Sequence, residues 1–463
     1  MKNAKKILAL LLALVMMMTL FVGCGEKTAE HDHDHDHEAE TEMEPAELVT
    51  GHHVNAHGMQ SFSIHYTDTA DGRTYDYMNE AGELVSVSQE EVDAMLETVV
   101  ASCGEYSLTN RELAYCYQEQ YYQTYQTLGM YMMLMMDSSK GLDEQVGGDG
   151  VNTWQHSFVD AGVKMFHRMA AAVQEAAANG YDTTEAEAMV EKVRQSVEDS
   201  AAQVGYTDLD QFMEDYMAPG STFESYLEFS RLNAIFNAYA NGLMEQVEVT
   251  DAEIEAYWAE NEQTLTDGGL QKIDKNVVDV RHILVKPEET TAEDGTTSIS
   301  DEAWAAAEAK ANSIYEQWVA DGATEEDFIE LVGAHSEDPG SAENGGLYED
   351  VYPGQMMEAF DAWCYEDGRE VGDHGVVKTD YGYHIMYFAG EGDYVYWRKT
   401  VQDMVVNKAV TDMLVAIEEK YPMELDLTKA VILDSTAPTI PTVEEEAVAE
   451  DGHVHTEDDG HNH

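Results

Sequence analysis

The side chains best equipped for chemistry in this 463-residue sequence are histidines and carboxylates near its two ends. Histidine and aspartate alternate from His31 to His37, and four more histidines lie between His453 and His463. Imidazole and carboxylate together suit zinc, copper or nickel. Because no zinc signature of defined spacing is present, nothing organises these ligands, and such tracts would bind divalent metal weakly. We assign no metal site, and a hydrophilic spacer is the alternative interpretation.

The first residues carry an export signal. Three lysines precede the apolar run 7–22, which ends at Gly23-Cys24. A basic start, a short apolar stretch and small residues at the cut site are typical of a secretory signal peptide. The segment 20–24, Leu-Phe-Val-Gly-Cys, resembles a bacterial lipobox, in which the cysteine is lipidated. We therefore predict an extracytoplasmic protein anchored to the cell membrane at Cys24; the alternative is a cleaved signal with an incidental cysteine.

Charge and length bound the remaining possibilities. Ninety-two acidic residues against 24 basic ones give a formal net charge of −68 at pH 7. So acidic a chain repels phosphate backbones and anionic headgroups, which excludes nucleic-acid binding as its main function. The length suits two or three domains. The cysteines outside the lipobox are too few for a disulfide framework and are predicted to be buried thiols: Cys103, Cys116 and Cys364.

Apolar spacing indicates the framework. Alternation over residues 60–90 predicts a small hairpin, and helical periodicity follows from about 91 to 265. Thr109 or Asn110 is predicted to cap one helix and Thr250 another. From residue 278 the pattern changes to strand, helix, helix, strand, helix, strand, strand.

A methionine-rich run, residues 129–136, interrupts the helical region with the sequence Gly-Met-Tyr-Met-Met-Leu-Met-Met. Methionine is flexible and polarizable, so such a surface adapts to varied apolar partners. A buried helix core is the alternative interpretation.

Four motifs follow in a fixed order: His-Ile-Leu-Val-Lys at 282–286, Ser-Glu-Asp-Pro-Gly-Ser at 336–341 with a later Gly-Gly at 345–346, Gly-Gln-Met at 354–356, and Gly-Tyr-His-Ile at 382–385. With these motifs, residues 278–388 resemble the parvulin-type peptidyl-prolyl cis-trans isomerase domain. The flanking helical regions and the export signal resemble those of the PrsA/SurA foldases. The resemblance implies an α+β fold: a helical SurA/PrsA-like chaperone domain with an inserted parvulin domain, whose four-stranded antiparallel sheet is surrounded by helices.

Composition and resemblance together give the predicted domains, in chain order: a lipoprotein signal peptide at 1–23, a disordered His/Asp/Glu-rich tether at 24–59, a mainly helical chaperone region at 60–276, the parvulin domain at 277–390, a C-terminal helix and strand packing with the N-terminal region at 391–440, and a disordered acidic, His-rich tail at 441–463.

The resemblance also implies two sets of site residues. Catalytic roles would fall to a polar set: His282, Asp338, Thr379 and His384. Substrate binding would fall to a mainly apolar set: Leu347, Met356, Phe360 and Tyr381. The two histidines would share a hydrogen bond, Met356 and Phe360 would form a proline pocket from one helix face, and Asp338 would tune the substrate amide electrostatically. Because isomerisation makes and breaks no covalent bond, no cofactor, metal or covalent intermediate is expected.

The sequence departs from the parvulin pattern at two positions. The family usually has Asp-Leu-Gly after the Gly-Gly pair, whereas here Leu347-Tyr348 follows directly, which predicts a shortened turn. Tyr381 stands where a small residue is common. The loop after Lys286 is acidic, at Glu288, Glu289, Glu293 and Asp294, and would repel a phosphoserine-proline substrate.

We predict a membrane-tethered extracytoplasmic peptidyl-prolyl isomerase and foldase whose partners are unfolded exported polypeptides with Xaa-Pro bonds. Two alternatives stay open. One is a holding chaperone with little or no isomerase activity, which binds peptide through its parvulin domain. The other is a metal-binding lipoprotein that uses the terminal histidine tracts. A homodimer is also an open alternative.

Overall fold

The computed structural model describes residues 55, 59–70, 72–129, 135–137, 139–148, 150–291 and 295–435. The predicted signal peptide, the lipidation site Cys24, both histidine tracts and most of the methionine-rich run lie outside these residues. In the described ranges, no helix is both long enough and apolar enough to span a bilayer.

The chain forms two compact units, and one is inserted into the sequence of the other. The described residues up to 246 and from 410 onward form the first unit, and the described residues from 247 to 409 form the second. The predicted fold class, an α+β chain with an inserted sheet domain, is confirmed.

The first unit combines helices with two small sheets. Its elements are β1 (Ser63–Thr69), β2 (Gly72–Met78), β3 (Leu84–Val87), α1 (Gln89–Leu96), β4 (Val99–Cys103), β5 (Tyr106–Thr109), α2 (Asn110–Leu128), α3 (Trp154–Ala178), α4 (Thr184–Val204), α5 (Leu209–Tyr216) and α6 (Phe223–Gln246). The C-terminal segment returns to this unit with β12 (Glu424–Leu425) and β13 (Ile432–Asp434).

The C-terminal strands complete both sheets of the first unit. One sheet has the order β13-β1-β2-β3, with β13 parallel to β1, and the other has the order β12-β4-β5. The hairpin predicted at 60–90 is therefore part of a larger sheet. Alternation identifies its local strands, but a three-residue partner more than 360 residues along the chain gives no periodic signal.

The second unit contains a four-stranded sheet with helices on both faces. Its elements are α7 (Asp251–Asp267), β6 (Asn276–Val285), β7 (Thr290–Thr291), β8 (Thr297–Ser298), α8 (Asp301–Ala320), α9 (Glu325–His335), β9 (Leu347–Val351), α10 (Glu358–Cys364), β10 (His374–Thr379), β11 (Gly382–Val395) and the first part of α11 (Tyr396–Lys420). The strand order is β10-β11-β6-β9 and every neighbouring pair is antiparallel, as predicted.

Strand alternation divides the core of this sheet in two. One face packs Ile283 and Ile385 against the buried rings Trp318 and Phe328 of α8 and α9. The opposite face packs Val280, Met386 and Phe388 against Phe360 of α10. The second face is the one that carries the candidate site.

The second unit extends beyond the predicted segment 277–390 on both sides. Ile254, Trp258 and Leu265 of α7 form a buried cluster with Trp397 and Val401 of α11. The Trp258 and Trp397 rings meet edge to face with centroids 5.2 Å apart. This packing places α7 and the start of α11 in the second unit.

Threonine caps begin two of the helices. Thr109 accepts the N–H of Glu112, whose carboxylate accepts the Thr109 N–H at 2.7 Å. Thr250 and Glu253 form the same reciprocal pair at the start of α7. Of the two predicted caps for α2, the structure selects Thr109, and the cap at Thr250 is confirmed.

The cysteines outside the lipobox are buried, as predicted, and none of the three forms a disulfide. Burial raises the pKa of Cys103 and Cys116, and it raises that of Cys364 to about 12. A raised pKa leaves little thiolate, which is the nucleophilic form of cysteine.

Asn110 attaches the C-terminal segment to the first unit. Its fully buried side chain donates to the carbonyls of Met95 (2.8 Å) and Lys429 (2.9 Å) and accepts the Val431 N–H (2.8 Å). One amide side chain therefore satisfies three backbone groups, one at residue 95 and two in the C-terminal segment.

We expect Asn110→Ala to lower the free energy of unfolding of the first unit by about 2–4 kcal/mol, because it leaves these buried backbone groups without their hydrogen-bond partner. Hydrogen exchange of β1 and β13 measures this locally. Asn237→Ala is the matched control, since its amide group donates to the carbonyl and the side chain of Asn233 on the same helix. Equal losses in the two variants would contradict the role of Asn110.

Candidate functional site

Two histidines on neighbouring strands form the centre of the candidate site. His282 lies in β6 and His384 in β11, where Met386 pairs with His282 and Leu284 with His384. The antiparallel register makes them diagonal neighbours on one face of the sheet. Their Nδ1 atoms are 3.0 Å apart and their rings stack with centroids 5.2 Å apart.

The other two residues of the predicted polar set extend this pair at both ends. The Thr379 hydroxyl lies 2.8 Å from His384 Nε2, and Asp338 Oδ2 lies 2.9 Å from His282 Nε2. The structure thus brings all four residues into one hydrogen-bonded chain.

The carboxylate fixes the direction of that chain. His282 hydrogen bonding, followed by bonds from Ser341 and Tyr348, holds the pKa of Asp338 well below its usual range, although burial opposes this. Ionised Asp338 can only accept, so His282 Nε2 carries a proton. With one proton on each imidazole, we assign His384 Nδ1 as donor to His282 Nδ1, and the Thr379 hydroxyl as donor to His384 Nε2.

Burial and the neighbouring His282 lower the pKa of His384 from 6.5 to about 4, with Asp338 acting in the opposite direction. The His384 imidazole is therefore neutral near pH 7, as the assigned hydrogen bonds from His384 Nδ1 and to His384 Nε2 require.

An apolar wall adjoins the histidines. Phe360 is buried and meets both rings edge on, with centroids 5.6 Å from His282 and 5.4 Å from His384. Met356 packs into the same apolar cluster as Phe360 and Met386. The side chains predicted to form the pocket thus lie together.

The predicted helical placement of Met356 is wrong. The helix α10 begins at Glu358, two residues after Met356. A turn precedes it, with Gly354 at a φ of 86° and its N–H donating to the Asp361 carboxylate at 2.9 Å. Met356 therefore reaches the cluster from the turn and Phe360 from the helix.

Of the eight predicted site residues, Leu347 and Tyr381 lie away from the cluster that the other six form. Leu347 pairs with Arg281 and Tyr348 with Val280, so Tyr348 shares the face of His282 while Leu347 lies on the opposite face. Tyr381 is 63% exposed in the turn between β10 and β11, and its backbone N–H donates to the Thr379 hydroxyl at 3.1 Å.

Two site residues were not predicted from the sequence. The Ser341 hydroxyl donates to Asp338 Oδ2 at 2.6 Å and lies 3.0 Å from His282 Nε2. The Tyr348 hydroxyl also donates to Asp338 Oδ2, at 2.9 Å. Ser341 closes the motif that contains Asp338, which was the available signal. The face of Tyr348 depends on a register that the sequence does not reveal.

Gly346 lets the chain approach the first histidine. Its φ is 74°, and its carbonyl accepts the His282 N–H at 2.9 Å. A Cβ at this position would lie 2.5 Å from the His282 carbonyl oxygen. The second glycine of the Gly-Gly pair is therefore required both by its dihedral angle and by space.

Comparisons with known proteins converge on this region. The family model described as Rotamase, PPIC-type PPIASE domain, matches residues 282–390. The chaperone SurA of Pseudomonas putida is 35% identical over 127 residues, covering 27% of this chain and 25% of that protein. The foldase protein PrsA of Geobacillus sp. is 33% identical over 144 residues, covering 31% of this chain and 38% of that protein. The chain thus spans well under half the length of these relatives.

Solved structures of similar proteins include PrsA from Bacillus subtilis, with 19% identity and a TM-score of 0.23 over 59% of this chain and 89% of that one. Another is the foldase PrsA from Streptococcus pneumoniae, with 12% identity and a TM-score of 0.25 over 70% of this chain and 91% of that one.

We expect Gly346→Ala to destabilise the second unit by about 3 kcal/mol or more, because a left-handed alanine is strained and its Cβ meets fixed backbone. Urea unfolding followed by tryptophan fluorescence measures this, since five of the six tryptophans lie in residues 247–409. Gly368→Ala is the control: its φ is 85° but a Cβ there would contact nothing within 4 Å. It should lose only about 1 kcal/mol, for the backbone strain alone.

Acid should destabilise the second unit in two stages. The unfolded His384 side chain takes up a proton near 6.5 and the folded one near 4, so its stabilising contribution is complete above pH 6.5 and declines as the pH falls to 4. Asp338 adds a loss of the same sign at lower pH, because its folded pKa is also depressed.

We expect His384→Gln to flatten the decline of the unfolding free energy between pH 6.5 and 4, by about one proton's slope. Urea titrations at intervals of half a pH unit measure it by fluorescence. The readout is the slope of the unfolding free energy against pH, which a pH-independent loss of stability in the variant does not change. A slope identical to that of the wild type would exclude His384 as the titrating group.

Proposed function

Residues 282–390 are a rotamase domain of the PPIC, or parvulin, type, and from this premise we propose that the chain is a membrane-tethered, extracytoplasmic peptidyl-prolyl isomerase and foldase. The observation that carries the proposal is the apolar wall of Met356 and Phe360 beside the ionised Asp338 and the His282–His384 pair. An apolar surface for a proline ring and a charge for its amide are the two components that this reaction needs.

The reaction is a rotation. It faces a barrier of about 20 kcal/mol because the planar amide must lose its resonance. Catalysis requires that the site bind the twisted amide more tightly than either planar form. The planar form places partial negative charge on the carbonyl oxygen, and the twisted form reduces that charge. An apolar wall disfavours the more polar, planar form.

Asp338 supplies the electrostatic part of the mechanism. A carboxylate next to the amide oxygen repels the charge that resonance places there, and so lowers the barrier to rotation. Its low pKa keeps Asp338 ionised and makes it unsuited to donate a proton. The His282–His384–Thr379 chain orients the carboxylate and contributes no covalent step.

We propose unfolded exported polypeptides with Xaa-Pro bonds as substrates. Phosphoserine-proline is excluded on charge, because Glu288 and Glu289 are exposed in the loop after Lys286.

Lipidation at Cys24 and the domain boundaries of 24–59 and 441–463 are proposals from sequence. Mass spectrometry of the mature N-terminus tests the lipid, and light scattering tests for the homodimer.

A holding chaperone with little or no isomerase activity, which binds peptide through its parvulin domain, is the second candidate, and a cavity in the first unit would give it a further binding surface. The cavity has a volume of about 680 Å³, and its lining is mixed: aromatic and aliphatic side chains such as Tyr117, Tyr121 and Leu142 alternate with charged ones such as Asp137 and Lys140. Such a mixed surface suits amphipathic segments of an unfolded chain. The metal-binding alternative rests on the histidine tracts, which lie outside the described residues; within the described residues, no group of three ligand residues is arranged to hold an ion.

We expect residues 25–463 to accelerate isomerisation of a short Xaa-Pro peptide. Asp338→Asn keeps the shape but removes the charge, and should lower kcat/KM at least about tenfold. Met356→Ala should lower it about tenfold by removing apolar contact with the proline ring. Met413→Ala, an exposed methionine of the first unit, is the control and should leave the rate unchanged.

Protease-coupled or spectroscopic peptide assays measure these rates, and circular dichroism checks each fold. If the wild type gives no acceleration over the thermal rate but suppresses aggregation of an unfolded client, the chain is a holding chaperone. If neither activity is found, both candidates fail.

A further inference from the structure

The hydrogen bonds of Asp338 are concentrated on one oxygen. Oδ2 accepts from Ser341 Oγ (2.6 Å), Tyr348 Oη (2.9 Å) and His282 Nε2 (2.9 Å). Among the described residues, Oδ1 accepts only the Gly340 N–H, at 3.3 Å. The side chain is 14% exposed, so the carboxylate is held at one oxygen and reaches the surface of the site.

Tyr348 is the donor that comes from a different strand. It lies in β9, opposite Val280 and therefore on the face of His282, and its ring is tilted 32° from the His282 ring with centroids 5.2 Å apart. Burial and then Asp338 raise the pKa of Tyr348 to about 12. The phenol thus keeps its proton across the physiological range and always donates.

The close approach of the Tyr348 hydroxyl depends on Gly340. A Cβ at residue 340 would lie 2.9 Å from Oη, and 3.6 Å from the nearer oxygen of Asp338. The φ of Gly340 is not in the left-handed region, so its backbone is open to other residues. Space for the hydroxyl is therefore the constraint at this position.

We infer that Tyr348 is a positioning residue of the isomerase site: its hydroxyl fixes Oδ2 of Asp338 so that Oδ1 faces the prolyl amide. Its ring also supplies the wall beside His282 that the sequence assigned to Leu347. This inference rests on the proposed function, and it identifies Tyr348 as a residue that the proposed isomerase activity needs.

The physical reason is the softness of the terminal carboxyl torsion. This torsion has a broad energy profile, so hydrogen bonds and not rotamer preference decide which oxygen points where. Ser341 and His282 donate to Oδ2 from the loop and from β6. Without the Tyr348 hydroxyl, Asp338 stays ionised, but its carboxylate plane adopts a wider range of orientations.

The test compares Tyr348→Phe, Tyr348→Leu and Gly340→Ala in the full chain from residue 25. Tyr348→Phe keeps the ring and should lower kcat roughly tenfold with little change in KM, because one hydrogen bond to a charged group is lost. The acid limb of the rate should move to higher pH, since Asp338 loses a donor that lowers its pKa.

Gly340→Ala retains the phenol but displaces it, and should change kcat and the acid limb in the same direction as Tyr348→Phe. Tyr315→Phe is the matched control: it removes a hydroxyl bonded to His374 Nδ1 at 2.8 Å on the opposite face of the sheet. If Tyr348→Phe behaves as the wild type while Tyr348→Leu loses activity, Tyr348 serves only as packing and the inference is overturned.

A second readout separates this inference from the proposed function. Carbon-13 labelling of aspartate, with Asp338→Asn to assign the signal, follows the titration of the Asp338 carboxyl without any catalysis. We expect its pKa to rise in Tyr348→Phe and in Gly340→Ala. If the wild type is inactive but the Asp338 pKa rises in the variants, the isomerase proposal is refuted while the hydrogen bond from Tyr348 to Asp338 is supported. If the wild type is active and the Asp338 pKa does not rise in the variants, only the positioning role of Tyr348 is refuted.

Discussion

The site depends on one partly buried hydrogen bond, from His282 Nε2 to Asp338 Oδ2. It joins the central strand β6 to the loop after α9, and it fixes the proton positions of both imidazoles. The loop is held against the same strand by two further hydrogen bonds: the Glu337 N–H donates to the Leu284 carbonyl at 2.8 Å, and the Leu284 N–H donates to the Ser336 hydroxyl at 3.2 Å. The position of the carboxylate is therefore determined by the sheet and not by the loop alone.

The fold creates this geometry through strand register. Antiparallel pairing of β6 with β11 makes the two histidines diagonal neighbours, at a distance that lets the ring nitrogens bond. Pairing of β6 with β9 brings Tyr348 to the same face. The left-handed Gly346 permits β9 to start directly beside His282. These contacts between strands are thus the consequence of sheet alignments, and a one-residue slip in either pairing would remove them.

Much of this could be predicted from sequence, for identifiable reasons. The strand and helix order of the second unit follows from local periodicity, and four spaced motifs carry His282, Asp338, Met356 and His384 to one site. What could not be predicted depends on distant pairing. The parallel strand β13 has no local signal, and the turn before α10 depends on Asp361 accepting the Gly354 N–H. The predicted site residue Leu347 lies on the face opposite His282, and its neighbour Tyr348 lies on the same face as His282, because successive side chains of a strand point to opposite faces.

The type of donor around Asp338 matters as much as the number. An arginine or lysine would also hold the carboxylate ionised, but its positive charge would cancel the field that the carboxylate projects onto a substrate. Hydroxyls and a ring N–H stabilise the negative form by short hydrogen bonds while carrying little opposing charge. In a partly desolvated site this leaves Asp338 with most of its field. The chain as a whole carries a formal charge of −68, but that charge is spread over a solvated surface and screened by salt. In the proposed mechanism, the carboxylate that acts on the amide is Asp338, which hydroxyls and a ring N–H hold beside an apolar wall.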